Sequence, residues 1–222
     1  MTKTTAIPDQ AALQRVGKSV RERLEADPGA YKIETDLADM FAIGNFLSPA
    51  ECTQLCLMID EVARPSSLHE VGYEAGFRTS YSGDLDPLNS FVMGISRRID
   101  DLLGLPSEVG EAVQGQRYLP GQQFKPHNDW FYSSEKYWEL ERKRGGQRSW
   151  TAMAYLNEVE EGGGTHFTEI GINIEPKPGV LLVWNNAKPD GSPNLDTMHA
   201  GTPVVKGVKY VITKWYRTRK WR

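Results

Sequence analysis

The chain has 222 residues, 39% apolar and 25% charged, with 21 Gly and 13 Pro; that suits one domain with a real core and is neither low-complexity nor fibrous. No apolar run approaches the ~18 residues of a membrane helix, and the start, residues 1–10, lacks the apolar core of a secretory signal, so a cytoplasmic protein with no membrane partner is expected. The net charge of −3 comes from 26 basic and 29 acidic residues and is uneven: residues 203–222 hold seven basic residues and no acid, leaving −10 on residues 1–202.

A basic end of this kind could meet nucleic acid or an acidic peptide. No nucleic-acid motif accompanies it, so it reads as a solvated counterweight to an acidic body. The first nine residues are polar and expected to be loose. Leu13, Val16, Val20 and Leu24 keep a helical period from Gln10 to Ala26, and Asp27-Pro28-Gly29 stops it. Phe41-Ala42-Ile43 reads as a short strand. Ser48-Pro49-Ala50-Glu51 is a helix start, with Ser as cap, Pro in the first turn and Glu three residues on. That helix carries Cys52, Leu55, Cys56, Ile59 and Val62 on one side and ends near Arg64-Pro65. Two cysteines four apart on one helix face would strain a disulfide; they read as small core residues of a reducing compartment.

A third helix is expected from about Asn89, with Phe91, Val92, Ile95, Ile99 and Leu102 on its stripe and Gly104 beyond its end. After Pro106 the pattern changes. Strand-like segments at 112–118, 150–156, 180–184 and 209–216 alternate with Gly, Pro and Asn clusters, at the density of a sandwich or barrel. Helices therefore come first and a β-rich core follows.

Four histidines are present: His69, His127, His166 and His199. In His127-Asn128-Asp129, residues two apart on an extended chain put both side chains on one face. An imidazole and a carboxylate so placed can share an ion, and His199 could close the site. Two His and one carboxylate with other positions open is the arrangement of non-haem Fe(II) oxygenases. His-x-Asp alone is a short motif that also arises by chance or as a turn. Ten residues after His199, Lys209 opens a strand on which Lys209, Val211, Thr213 and Trp215 share a face. A lysine on such a face points inward and needs an anion; an edge lysine in solvent fits the strand pattern equally well. His166 follows Thr165 on a strand and should face away from the pocket.

The segment from Phe41 to about Arg217 resembles the prolyl 4-hydroxylase type of 2-oxoglutarate- and Fe(II)-dependent dioxygenases. The matching stretches are Phe46-Leu47-Ser48 with Glu51-Cys52, Arg78-Thr79-Ser80, and Tyr118 through Phe124-Lys125-Pro126-His127-Asn128-Asp129. They continue with Tyr155-Leu156-Asn157 to Gly164-Thr165, then Pro176 to Gly179 and Val183-Trp184-Asn185. The last are His199-Ala200-Gly201-Thr202-Pro203, Gly207-Val208-Lys209 and Lys214-Trp215. The resemblance implies a double-stranded β-helix (jelly-roll) core, mainly β, with N-terminal helices packed on it. It divides one domain into a helical extension (1–30), a helical and strand support region (31–110), the dioxygenase core (111–218) and a basic tail (219–222).

By the same resemblance His127, Asp129 and His199 hold Fe(II). Lys209 pairs with the distal carboxylate of 2-oxoglutarate, Tyr118, Thr165 and Trp215 line that pocket, and Arg148 contacts substrate. The cosubstrates are then 2-oxoglutarate and O2, with ascorbate as a candidate reductant. The reaction hydroxylates a C–H bond, foremost of a prolyl residue in a peptide or protein, and releases succinate and CO2. The same oxidation of another residue, a free amino acid or a small metabolite is the nearest alternative. Phe124 stands where many such enzymes have a tyrosine. The loop with Trp130-Phe131-Tyr132, Tyr137-Trp138 and residues 139–144 reads as a substrate lid; alternatively its aromatics cover the barrel mouth and 139–144 is a solvated helical turn. More distant readings are a zinc hydrolase on the same three ligands, for which no general base is evident, and a jelly-roll binding module without catalysis.

Overall fold

The computed structural model describes residues 7–66 and 76–221, so His69 lies outside the described residues. The helices are α1 (Gln10–Ala26), α2 (Pro49–Val62), α3 (Ser90–Leu103) and α4 (Trp138–Arg144). In chain order the strands begin with β1 (Ala30–Lys32), β2 (Met40–Ile43), β3 (Arg64–Pro65), β4 (Tyr81–Asp84), β5 (Gln114–Tyr118), β6 (Phe124–His127) and β7 (Arg148–Tyr155). They continue with β8 (Glu161–Gly162), β9 (Thr165–Phe167), β10 (Ile172–Ile174), β11 (Leu181–Asn185), β12 (His199–Gly201), β13 (Val204–Lys206) and β14 (Lys209–Arg217).

Two sheets carry the fold. The larger has eight strands in the order β1-β2-β11-β7-β14-β5-β4-β3, the smaller four in the order β10-β9-β12-β6. Every pairing is antiparallel. The crossovers between non-consecutive strands and the two facing sheets are those of a double-stranded β-helix. Helices α1, α2 and α3 pack on the outer face of the larger sheet, so its central strands β11, β7 and β14 are buried on both faces.

The strand period of two decides what each face does. From β7, β11 and β14, Trp150, Ala152, Ala154, Leu181, Val183, Ile212 and Tyr216 point outward into a core shared with Leu24, Leu55, Ile59, Val92, Ile95 and Ile99 of the helices. The alternate residues Met153, Tyr155, Leu182, Trp184 and Val211 point inward, toward Phe167 of the smaller sheet. At Gly115 of β5 an added Cβ would collide with the Ile59 side chain, so the glycine lets α2 lie close on the sheet.

Local chemistry accounts for the helices. Ser48 and Glu51 form a reciprocal capping box on α2, with Pro49 at its first position. Asn89 caps α3 through Phe91 N and Val92 N, and Gly104 ends it at φ 65°. On α3 Leu103 and Asp100 are buried with the expected Val92, Ile95 and Ile99, and Phe91 and Leu102 pack partly buried against the same core. Cys52 and Cys56 are free thiols.

Two expectations change. Residue 9 is not loose: the Asp9 carboxylate, instead of capping α1, accepts from Gln147 N at 3.0 Å and Thr218 Oγ1 at 3.0 Å and pairs with Arg219. Nor is the basic C-terminal stretch merely a solvated end. Lys214 pairs with Asp100, Arg217 with Glu111 and Glu141, Arg219 with Asp9, and Lys206 with Glu160. Apart from Lys209, its described cations face acids from distant parts of the chain.

Candidate metal centre and its two cavities

The smaller sheet brings the candidate ligands together. His127 ends β6, His199 opens β12, and the two are direct register partners. Asp129 follows two residues beyond β6. One ligand atom from each of His127, Asp129 and His199 lies within 4.8 Å of the others. The tautomers are set by the backbone: His127 Nδ1 donates to Lys125 O at 2.9 Å and His199 Nδ1 to Thr197 O at 3.0 Å. Both Nε2 lone pairs are thereby left for a metal, the arrangement by which neighbouring groups orient histidine ligands.

Asp129 is fixed too. Its Oδ2 accepts from Thr151 Oγ1 at 2.8 Å, and Thr151 Oγ1 in turn accepts from Asn186 Nδ2 at 2.9 Å. Burial pushes the Asp129 carboxyl up, but its neighbours His199, Arg148 and His127 outweigh it and hold the group below its usual value. Burial, reinforced by His199, pushes His127 down to about 3. The set is thus a carboxylate beside the neutral imidazole of His127, with the Nε2 of His199 left open by its bond to Thr197 O. Two imidazole nitrogens and one oxygen on one side suit Fe(II) with open positions, so the residues present fit the metal the sequence implies. His166 lies apart, half-buried between the buried Thr165 and Phe167.

Behind the triad a narrow cavity of about 50 Å³ contains Tyr118, Thr165, Lys209 and Trp215 in its walls, together with the three ligands. Lys209 opens β14 opposite Tyr118 of β5 and is 2% exposed. Its Nζ reaches only Gly164 O at 3.4 Å and Thr165 Oγ1 at 3.5 Å, and lies 5.4 and 5.6 Å from the ring centres of Tyr118 and Tyr155. No carboxylate among the described residues pairs with it. Burial lowers its pKa to about 7, with Glu175 opposing from a distance. Gln116, which the sequence reading missed, accepts from Tyr118 OH at 2.8 Å and donates to Thr213 Oγ1 at 3.2 Å, holding the cavity wall.

In front of the triad opens a cleft of about 410 Å³. Arg148, from β7, is in it, but its guanidinium is held by Glu111 through bonds of 2.7 and 2.9 Å and stacks 4.1 Å from the Trp215 ring. Its Nη1 stands 3.9 Å from Asp129 Oδ1. Glu111 also binds Arg217 at 2.5 Å, and Arg217 binds Glu141 of α4 at 2.6 Å. Residues 139–144 are helical and mostly exposed, as a solvated turn would be, except for Glu141. Together with Trp138 they form α4, with Trp138 and Glu141 buried and Tyr137, Glu141 and Arg144 lining the cleft. Phe124 stacks on His127 at 3.6 Å.

Glu111, Glu141, Arg217 and Arg78 were not singled out as site residues. For Arg217 a signal existed: the alternation that aligns Lys209, Val211, Thr213 and Trp215 continues to it. Glu111 and Glu141 lie 106 and 76 residues from Arg217, and no local pattern links them.

Residues 113–217 match the family model described as the 2OG-Fe(II) oxygenase superfamily. "Probable prolyl 4-hydroxylase 8" of Arabidopsis thaliana is 30% identical over 205 residues, covering 82% of this chain and 69% of that protein. "Prolyl 4-hydroxylase 5" of the same plant is 31% identical over 206 residues, covering 80% and 68%. Among solved structures, the viral collagen prolyl hydroxylase vCPH from Paramecium Bursaria Chlorella virus-1, as its 2OG complex, superposes with a TM-score of 0.64 at 27% identity, covering 80% of this chain and 95% of that one.

Proposed function

Because the chain belongs to the prolyl 4-hydroxylase-type 2OG-Fe(II) oxygenases, we propose that it hydroxylates a prolyl residue of a peptide or protein at the mouth of the larger cleft. When bound, Fe(II) with 2-oxoglutarate and O2 supplies the oxidant that turns a C–H into a C–OH, while the 2-oxo acid leaves as succinate and CO2.

The protein's residues divide the work around that centre. His127, Asp129 and His199 hold the metal, their outer atoms fixed by Lys125 O, Thr197 O and Thr151. Lys209 takes the distal carboxylate of 2-oxoglutarate, and a desolvated ammonium–carboxylate contact fixes the cosubstrate's register. Tyr118 and Thr165 line the cavity around it, and Trp215 forms part of the walls of both cavities. Arg148, oriented by Glu111, faces the substrate side. The aromatic walls of the cleft, including Phe124, Trp130 and Tyr132, suit a pyrrolidine ring and exclude water. The relatives named prolyl 4-hydroxylases support the same target. The reduced thiols Cys52 and Cys56 support a reducing compartment such as the cytoplasm.

One observation carries the reading. Three ligands converge on one side of a cavity whose other side holds a buried ammonium with no acid of its own. A peptide library incubated with Fe(II), 2-oxoglutarate, ascorbate and O2 tests it by mass. Proline-containing peptides should gain one oxygen, and Lys209→Ala should lower 2-oxoglutarate turnover by about two orders of magnitude. Gain of oxygen only on peptides lacking proline, or on a small metabolite, would refute the prolyl assignment.

A further inference from the structure

Arg78 is the other cation of the site that pairs with no acid among the described residues. It lines both cavities. Among the other arginines of the cleft, Arg148 and Arg217 share Glu111, Arg217 also holds Glu141, and Arg144 stands 3.9 Å from Glu141. Arg78 has only neutral partners: Nε donates to Ser80 Oγ at 3.2 Å and Nη2 to Gln114 Oε1 at 3.1 Å. No carboxylate among the described residues pairs with it. Its guanidinium has five N–H donors, and these two bonds leave three without a recorded acceptor.

Its position is built. Arg78 bridges the backbone of Phe124, and the adjacent Thr79 N donates to Gln123 O at 3.0 Å. The guanidinium lies 4.7 Å above the Phe124 ring, which also stacks on His127 at 3.6 Å and meets Phe77 edge-on. One ring therefore separates this charge from a metal ligand. Burial works against the charged form, with Tyr118 and Asp129 giving partial relief. A half-buried guanidinium supplied with neutral acceptors alone is a receptor for an anion, and its planar fork matches a carboxylate.

The geometry points to Arg78 as a specificity-determining residue that receives a carboxylate of the substrate beside the carbon to be hydroxylated. This rests on the prolyl reading for the identity of the neighbouring residue. The carboxylate has two sources, an acidic side chain flanking the target proline or the free C-terminus of the substrate.

Three matched pairs separate these sources. They are N-acetylproline against its amide, acetyl-Glu-Pro-amide against acetyl-Gln-Pro-amide, and acetyl-Pro-Glu-amide against acetyl-Pro-Gln-amide. Binding to the Fe(II)- and 2-oxoglutarate-loaded enzyme without oxygen is read from tryptophan fluorescence, since Trp130, Trp215 and Trp221 line the cleft. At least one carboxylate member should bind roughly tenfold or more tighter than its amide partner. The winning pair names the source. Arg78→Gln should bring that pair to equal affinity while leaving the affinity for 2-oxoglutarate unchanged, and Arg78→Lys should restore part of the gap.

Equal binding within all three pairs would overturn the assignment. So would a gap that survives Arg78→Gln, or a loss of 2-oxoglutarate affinity in that variant, which would make Arg78 a cosubstrate residue instead. Admitting O2 afterwards tests the prolyl reading separately. A carboxylate preference without any gain of oxygen on proline leaves Arg78 in its role and removes the proline.

Discussion

Strand β14 carries two buried lysines that meet opposite fates. Lys214 faces the helices, where Asp100 and the Ser96 hydroxyl, the latter at 2.7 Å, take its ammonium, and Tyr216 OH donates to the same Asp100 oxygen at 2.6 Å. Lys209, five residues earlier and on the opposite face, is equally buried at 2% exposure, yet its nearest acceptors are a carbonyl and a hydroxyl beyond 3.3 Å. One charge is satisfied by the fold and the other waits for a ligand. A buried ion is costly wherever it stands, so a fold that completes one pair and leaves its neighbour open marks the open one as a binding site.

The largest expected effect breaks the satisfied side. Asp100→Ala leaves the Lys214 ammonium buried without its acid, and denaturant unfolding should show a loss of roughly 3–5 kcal/mol. Affinity for 2-oxoglutarate in the protein that still folds should be unchanged. On the open side the effects invert. Lys209→Ala should lower 2-oxoglutarate-dependent succinate formation by about two orders of magnitude, while thermal melting without ligand stays at or above that of the parent. Lys209→Met sharpens the contrast, because an apolar side chain of similar length removes an uncompensated charge; the ligand-free protein should gain about 1 kcal/mol or more. A drop in melting temperature for this variant would place Lys209 with Lys214, as a residue the fold itself needs.

A smaller effect comes from pH. The folded Lys209 pKa of about 7 lies below the ordinary 10.5, so between those values the unfolded chain binds more protons. Stability without ligand therefore rises with pH across this window, by at most about 1.4 kcal/mol per unit for one group. Lys214 is also lowered by burial and contributes with the same sign. The check is thus the difference between the parent and Lys209→Met, which should grow as pH falls toward 7. Adding 2-oxoglutarate should shrink that difference by favouring the charged lysine.

The same contrast explains what could be read beforehand. Apolar periods of α1, α2 and α3 and the apolar and aromatic runs of β7, β11 and β14 are strong local patterns, and they fixed the helical layer and the centre of the larger sheet. Alternation along β14 put Lys209 with Val211, Thr213 and Trp215, which is where they stand. The smaller sheet was poorly legible. Its strands are three or four residues long, and Phe124-Lys125-Pro126-His127 and His199-Ala200-Gly201 carry Pro, Gly and His where a strand pattern expects branched or aromatic residues. The two histidine ligands lie on these strands, so their convergence came from family resemblance more than from periodicity.

The charge pairs were legible least. Lys214 finds Asp100 across 114 residues and Arg217 finds Glu111 across 106. Such partners are chosen by packing, and neither member shows in its own neighbourhood which acid or base it will meet. The basic terminal stretch accordingly looked like a solvated end, and nothing near Arg148 in the sequence showed the Glu111 that holds it.

The most direct test of the central claim compares two cosubstrates that differ only at the far end. Calorimetric titration of the Fe(II)-loaded protein without oxygen would set 2-oxoglutarate against 2-oxopentanoate, which keeps the keto acid and lacks the distal carboxylate. With Lys209 present, 2-oxoglutarate should bind about two orders of magnitude more tightly, and Lys209→Met should bring the two ligands to similar affinity. Equal binding by the parent protein, or a preference that survives the substitution, would contradict the account.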